Sequence, residues 1–129
     1  MPKTVLLIDD EKDLLEVIGA FIEDLGYKII KAASCKETLE ILKSNEVDVI
    51  VLDYMMPDID GVTCLKRIRA DGIKSPVIMF TAYPERTSMQ EVEGFNVVGF
   101  VPKSSSYGDT GPMLKISPDM ASKMIDKTN

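Results

Sequence analysis

Histidine and tryptophan are absent from the 129 residues, and cysteine occurs only twice. Without imidazole the chain has no histidine general base, no imidazole metal ligand and no phosphohistidine of its own, so its chemistry must run on carboxylates, hydroxyls and lysine. The two cysteines, Cys35 and Cys64, have no Cys-x-x-Cys spacing and no metal-ligating neighbours. Both fall in segments read as helices and are expected to be packed thiols. Long apolar runs are also missing: none approaches the roughly 20 residues that a membrane-spanning helix needs. Met1-Pro2-Lys3 leads straight into a strand-like run rather than a secretory signal, so a cytoplasmic location away from membranes is expected. There is no excess of positive charge either. Fifteen Lys and Arg against 21 Asp and Glu leave a net charge of −6, which repels nucleic acid phosphates, and no direct nucleic acid binding is expected.

What is present suits one compact domain, residues 1–129, with 45% hydrophobic residues to build its core. Val5 to Ile8 is a short strand-like run ending at Asp9-Asp10. From Lys12, the residues Leu14, Val17, Ile18, Phe21, Ile22 and Leu25 recur at helical spacing until Gly26. Tyr27 to Ala33 reads as a second strand. Ser34 and Glu37 have the spacing of a capping box that opens a helix running to about Ser44. Val47 to Leu52 is almost continuously apolar, as a strand covered on both faces must be. A third helix carries Val62, Leu65 and Ile68 and ends by Gly72. Pro76 to Phe80 is a fourth strand, Glu85 to Glu93 a fourth helix, and Gly99 to Val101 a fifth strand ending at Pro102-Lys103. Serine, glycine and proline make residues 104–117 an irregular segment. Ser117-Pro118-Asp119 then starts a last helix to about Lys127.

Strands alternating with helices predict an α/β fold, a doubly wound parallel sheet with helices on both faces. Ligands of such sheets sit beyond the carboxyl ends of the strands. Asp9, Asp10, Asp53, Thr81 and Lys103 all fall at those ends. Carboxylates gathered there repel one another unless a cation joins them. An all-oxygen donor set selects a hard ion, Mg²⁺ or Mn²⁺. Aspartate also accepts phosphoryl groups covalently. Phosphoryl transfer asks the protein mainly for positioning and charge neutralisation, which Asp10, Asp53, the Thr81 hydroxyl and the Lys103 ammonium are suited to supply.

The Asp9-Asp10 pair, the run from Asp53 through Met56-Pro57 to Asp60-Gly61, Thr81-Ala82 and Lys103 together resemble the receiver domain of two-component response regulators, over about residues 3 to 103. The resemblance implies a flavodoxin-like five-stranded sheet of order 2-1-3-4-5. It implies that Asp53 accepts phosphate from a sensor histidine kinase or a histidine phosphotransfer protein. Asp10 would bind Mg²⁺ directly, Asp9 mainly through water, and the Met55 main-chain carbonyl would complete the ligands. Thr81 and Lys103 would contact the phosphoryl oxygens, and Phe100 stands at the switch-aromatic position, shifting with Thr81 to remodel a face for a downstream protein target. By the same resemblance Met55 and Tyr83 would border the phosphate, and their bulk predicts a comparatively long-lived phosphorylated form. Asp58 and Asp60 are expected to shape the loop and cap the third helix.

Two features depart from the family pattern. Pro102 precedes Lys103 where the family usually places proline directly after the lysine, and glycine and proline interrupt the segment before the last helix. The expectation is a stand-alone phosphoacceptor signalling domain, not an enzyme acting on other molecules, although a receiver excised from a longer regulator fits too. Two alternatives are a receiver-like interaction module that is never phosphorylated and an aspartate-nucleophile phosphohydrolase. The latter's Asp-x-Asp strand end is missing, because Tyr54-Met55 follows Asp53.

Overall fold

Short runs rich in valine, isoleucine and leucine alternate with amphipathic segments, and each run is a strand. The computed structural model describes residues 3–54, 56, 59–81 and 89–102, with Thr81, Met89 and residues 100–102 described by backbone only. In chain order the elements are β1 (Thr4–Ile8), α1 (Lys12–Asp24), β2 (Lys28–Ala32), α2 (Cys35–Ser44), β3 (Val49–Asp53) and α3 (Gly61–Ala70). After these come β4 (Val77–Thr81), a 3-10 turn (Met89–Val92) and β5 (Val97–Pro102). The strands form one sheet of order β2-β1-β3-β4-β5, and every pairing is parallel.

Side chains of a strand alternate between the faces of the sheet, and the core follows that period. Leu6, Ile8, Ile50, Leu52, Val77 and Met79 face one side, packed with Leu42 of α2 and with Leu65 and Ile68 of α3. Val5, Leu7, Val49, Ile78 and Phe80 face the other, against Leu14, Leu15, Ile18 and Ile22 of α1. Fully burying side chains of this size stabilises a fold by about 1.5–3 kcal/mol each.

The sequence boundaries shift by one or two residues at most strands. The largest changes are at β3, which begins at Val49 rather than Val47, and at β5, which begins at Val97 rather than Gly99. An irregularity lets Val77 pair with Val97 and Ile78 with Gly99, so Val98 is passed over and stays 39% exposed. In the capping box, Ser34 Oγ accepts from the Glu37 N–H at 3.1 Å, as expected. Glu37 reaches one residue further back than the motif predicts, its Oε2 accepting from the Ala33 N–H at 3.2 Å. Gly26 and Gly94 both take positive φ, 98° and 87°, where α1 and the 3-10 turn stop. Of the expected fourth helix, residues 89–93 are described, and they form the 3-10 turn Met89–Val92 followed by a turn at Glu93. The irregular segment 104–117 and the last helix fall outside them.

One expectation is overturned. Cys35 and Cys64 are not packed thiols but a disulfide, with Cα atoms 5.8 Å apart. Their separation of 29 residues in sequence carries no hint of this. The crossovers place α2 and α3 side by side on one face of the sheet, and the first turn of each helix brings its cysteine to the shared seam.

A carboxylate cluster at the carboxyl end of the sheet

β1 and β3 are adjacent, with Ile8 opposite Leu52, so the residues that follow these two positions are neighbours at the sheet's carboxyl edge. Asp9 continues the ladder one step past β1, its N–H donating to the Ala32 carbonyl at 3.0 Å. Its Oδ1 accepts from the Glu11 N–H at 2.9 Å, which fixes the turn into α1. The N-cap position of α1 falls to Glu11 rather than to either aspartate. Asp53 is the last residue of β3, paired with Phe80.

Oxygens of Asp9, Asp10 and Asp53 all lie within 4.8 Å of one another. Asp9 and Asp53 are 0% and 1% exposed, whereas Asp10 is open to solvent. Two buried carboxylates and one exposed carboxylate at this spacing repel one another, and a divalent ion held among them would relieve the repulsion. With oxygen donors only, the set suits Mg²⁺ or Mn²⁺ and offers nothing to a softer metal.

The loop after Asp53 is held from both sides. The Tyr54 N–H donates to the Phe80 carbonyl and the Gly61 N–H to the Tyr54 carbonyl, each at 2.8 Å. Asp60 caps α3, its Oδ1 accepting from the Thr63 N–H at 2.8 Å. Gly61 lies so close to Asp53 that any Cβ would overlap the Asp53 carbonyl oxygen. The Tyr54 hydroxyl reaches across to the 3-10 turn, 3.2 Å from each Glu91 oxygen. Partial burial raises the Tyr54 phenol above its usual pKa of 10.0, and the hydrogen bond to Glu91 and that residue's negative charge add to the shift.

Of the other sequence candidates, Thr81 ends β4 beside β3, and its backbone sits at the same edge. Phe100 lies in β5 opposite Met79, and β5 ends at Pro102, directly before Lys103. Lys103, Met55, Tyr83 and Asp58 fall outside the described residues. Sequence reasoning named Gly61 only as part of a motif and missed the Tyr54–Glu91 contact. A separation of 37 residues between those two leaves no local signal.

Fold and site together define a doubly wound α/β domain with an acidic cluster at its ligand-binding edge. The family model of the response regulator receiver domain matches residues 5–110, and the chain belongs to this family of two-component signalling domains. A probable C4-dicarboxylate response regulator, DctR of Priestia megaterium, is 37% identical over 106 residues, covering 81% of this chain and 46% of that protein. Response regulator SaeR of Staphylococcus aureus is 36% identical over 78 residues, covering 60% of this chain and 34% of its own. The chain thus spans less than half the length of these curated relatives.

Among solved structures, the N-terminal domain of a receiver protein from Methanoculleus marisnigri is 32% identical with a TM-score of 0.74, covering 82% of this chain and 88% of that one. Thermotoga maritima TrrA, solved in complex with Mg²⁺ and BeF, is 27% identical with a TM-score of 0.74, covering 95% and 98%. The chemotaxis protein CheY4 of Vibrio cholerae shares the fold at a TM-score of 0.80 and 23% identity, over the whole of both chains. Among the described residues no helix is long and apolar enough to cross a membrane.

Proposed function

We propose that Asp53 is the phosphoacceptor of this receiver domain and that Asp9, Asp10, Asp53 and the Met55 main-chain carbonyl hold the divalent ion. The observation that carries this reading is the convergence of three carboxylates within 4.8 Å at the edge where the fold binds ligands. A relative of the same family, TrrA, was crystallised with Mg²⁺ and BeF, which supports the choice of ion. When bound, the ion neutralises charge on the phosphoryl oxygens.

The chain's own residues do the rest. A carboxylate oxygen of Asp53 attacks phosphorus in line, an oxygen–phosphorus bond forms, and the bond to the donor's leaving nitrogen or oxygen breaks. Asp53 ends β3 with its backbone against Gly61, which supports a rigidly held acceptor. Thr81 and Lys103 contact the phosphoryl oxygens, and Thr81 and Phe100 respond to the added charge of about −1.5 to −2 by changing the face offered to a protein target. The donor is a sensor histidine kinase or a histidine phosphotransfer protein, and the domain works in the cytoplasm without itself touching nucleic acid. It promotes its own phosphorylation and, slowly, its dephosphorylation.

Intact mass after incubation with acetyl phosphate and Mg²⁺ tests the proposal. A gain of one phosphoryl group that disappears in Asp53→Ala is expected. An unchanged wild-type mass, with the protein folded and Mg²⁺ present, would overturn it in favour of a receiver-like interaction module that is never phosphorylated.

A further inference from the structure

The cysteine pair is chemistry that the phosphoryl site does not use. Cys35 is the first residue of α2, next to the N-cap Ser34, and Cys64 lies in the first turn of α3. Both are buried, at 1% and 0% exposure, yet their surroundings differ. Cys35 lines an open groove of about 500 Å³ between α2 and α3, and Cys64 does not. Lys36, Lys43 and Arg67 line the same groove against Glu40 and Asp71, three cations against two carboxylates. Lys43 is engaged by Glu40 at 3.4 Å, and the remaining charged lining residues are Lys36, Arg67 and Asp71.

An anionic thiol entering that groove therefore meets net positive charge beside Cys35, whose own side chain is buried beneath the groove wall. Where thiol pools are reducing, disulfides in proteins are usually transient, catalytic or redox-sensing rather than permanent staples.

We propose that Cys35 is a thiol-exchange site and that the Cys35–Cys64 bridge opens and closes by reaction with a small anionic thiol of the glutathione class. On opening, the incoming thiolate attacks the Cys35 sulfur, a mixed disulfide forms there, and the Cys35–Cys64 bond breaks to leave Cys64 as a thiolate that takes up a proton. A second thiolate then attacks the sulfur of the bound thiol, releasing the small-molecule disulfide and the Cys35 thiolate. Closing is the reverse: Cys35 attacks a small disulfide, and Cys64 displaces the bound thiol from Cys35. The site is independent of the phosphoryl chemistry and holds or fails whether or not Asp53 is an acceptor.

The test uses the full chain in native buffer with graded ratios of reduced to oxidised glutathione, followed by alkylation, intact mass and peptide mapping, with circular dichroism recorded in parallel. Two alkylatable thiols should appear as the ratio rises while the spectrum stays native, and they should be lost again when the ratio falls. Cys64→Ala should gain one glutathione at Cys35, whereas Cys35→Ala should leave Cys64 unmodified over the same time. A bridge that opens only in denaturant would overturn the proposal, as would two thiols that never pair or equal modification of either single cysteine. Should a variant fail to fold, the native appearance or absence of thiols in the wild type decides the matter by itself.

Discussion

Gly61 lies against the backbone of Asp53, so that a Cβ added to it would overlap the Asp53 carbonyl oxygen and stand 2.9 Å from the Tyr54 Cα. The neighbour that would have to give is main chain, not a flexible side chain. The first residue of α3 therefore sets the position of the last residue of β3.

From this contact, Gly61→Ala is expected to destabilise the domain by about 1–3 kcal/mol, the usual cost of overpacking a tight site. It should also slow adduct formation at Asp53, because the displaced atoms belong to the acceptor itself. Urea denaturation and the rate of mass gain with acetyl phosphate measure the two effects. Slower transfer with unchanged stability would show that the loop yields rather than the fold.

The Tyr54–Glu91 contact predicts a pH dependence. Because the phenol's folded pKa is raised above 10.0, chiefly by desolvation and then by Glu91, the folded state holds its proton more tightly than the unfolded chain. The stabilisation is fully present below pH 10.0 and is lost as the pH rises through the higher folded value. An ultraviolet titration of the wild type should contain one tyrosine that ionises later than an ordinary one. Tyr54→Phe should remove that component and with it the alkaline loss of stability assigned to it.

The disulfide predicts a difference in stability between its two states. A cross-link between residues 29 apart removes loop entropy from the unfolded chain worth about 3–4 kcal/mol in the chain-entropy account. Oxidised wild type should therefore melt well above the same protein in excess dithiol. A Cys35→Ala, Cys64→Ala double variant should be insensitive to reductant, so equal melting curves for oxidised and reduced wild type would contradict the prediction.

The residues proposed to border the phosphate, Met55 and Tyr83, predict an adduct that outlasts handling. Phosphorylated protein freed of donor by rapid desalting should retain most of its phosphoryl group. Replacing Met55 with asparagine, which can orient water, should shorten its half-life several-fold. Decay within seconds in the wild type would refute the shielding role.

Much of this molecule was legible in one dimension. Apolar runs near Val5, Val49 and Val77 became strands as expected, because continuous burial demands continuous apolar sequence, while β2 and β5 at the sheet's edges are only partly buried and were legible from their β-branched residues. Ser34 and Asp60 were readable as caps, because a helix start needs a local acceptor for its first N–H groups. Asp9, Asp10 and Asp53 were readable as a set because each follows or ends a strand, and parallel strands send those ends to one edge.

The errors and omissions share a different cause. The Cys35–Cys64 bridge and the Tyr54–Glu91 contact both join segments brought together by crossovers, and neither has a local pattern to betray it. The tight seat of Gly61 against Asp53 is similar, since a glycine in a turn looks the same whether it is needed for its φ or for lack of a side chain.

By itself the amino-acid sequence determined the alternation of strand and helix and the chemistry at each strand end, both written in local periodicity and residue type. Only the tertiary structure decided how close the three carboxylates come, what wedges the Asp53 backbone in place, and that two cysteines far apart in the chain share one seam. Those are distances between segments, and they are set when both faces of the sheet are buried at once.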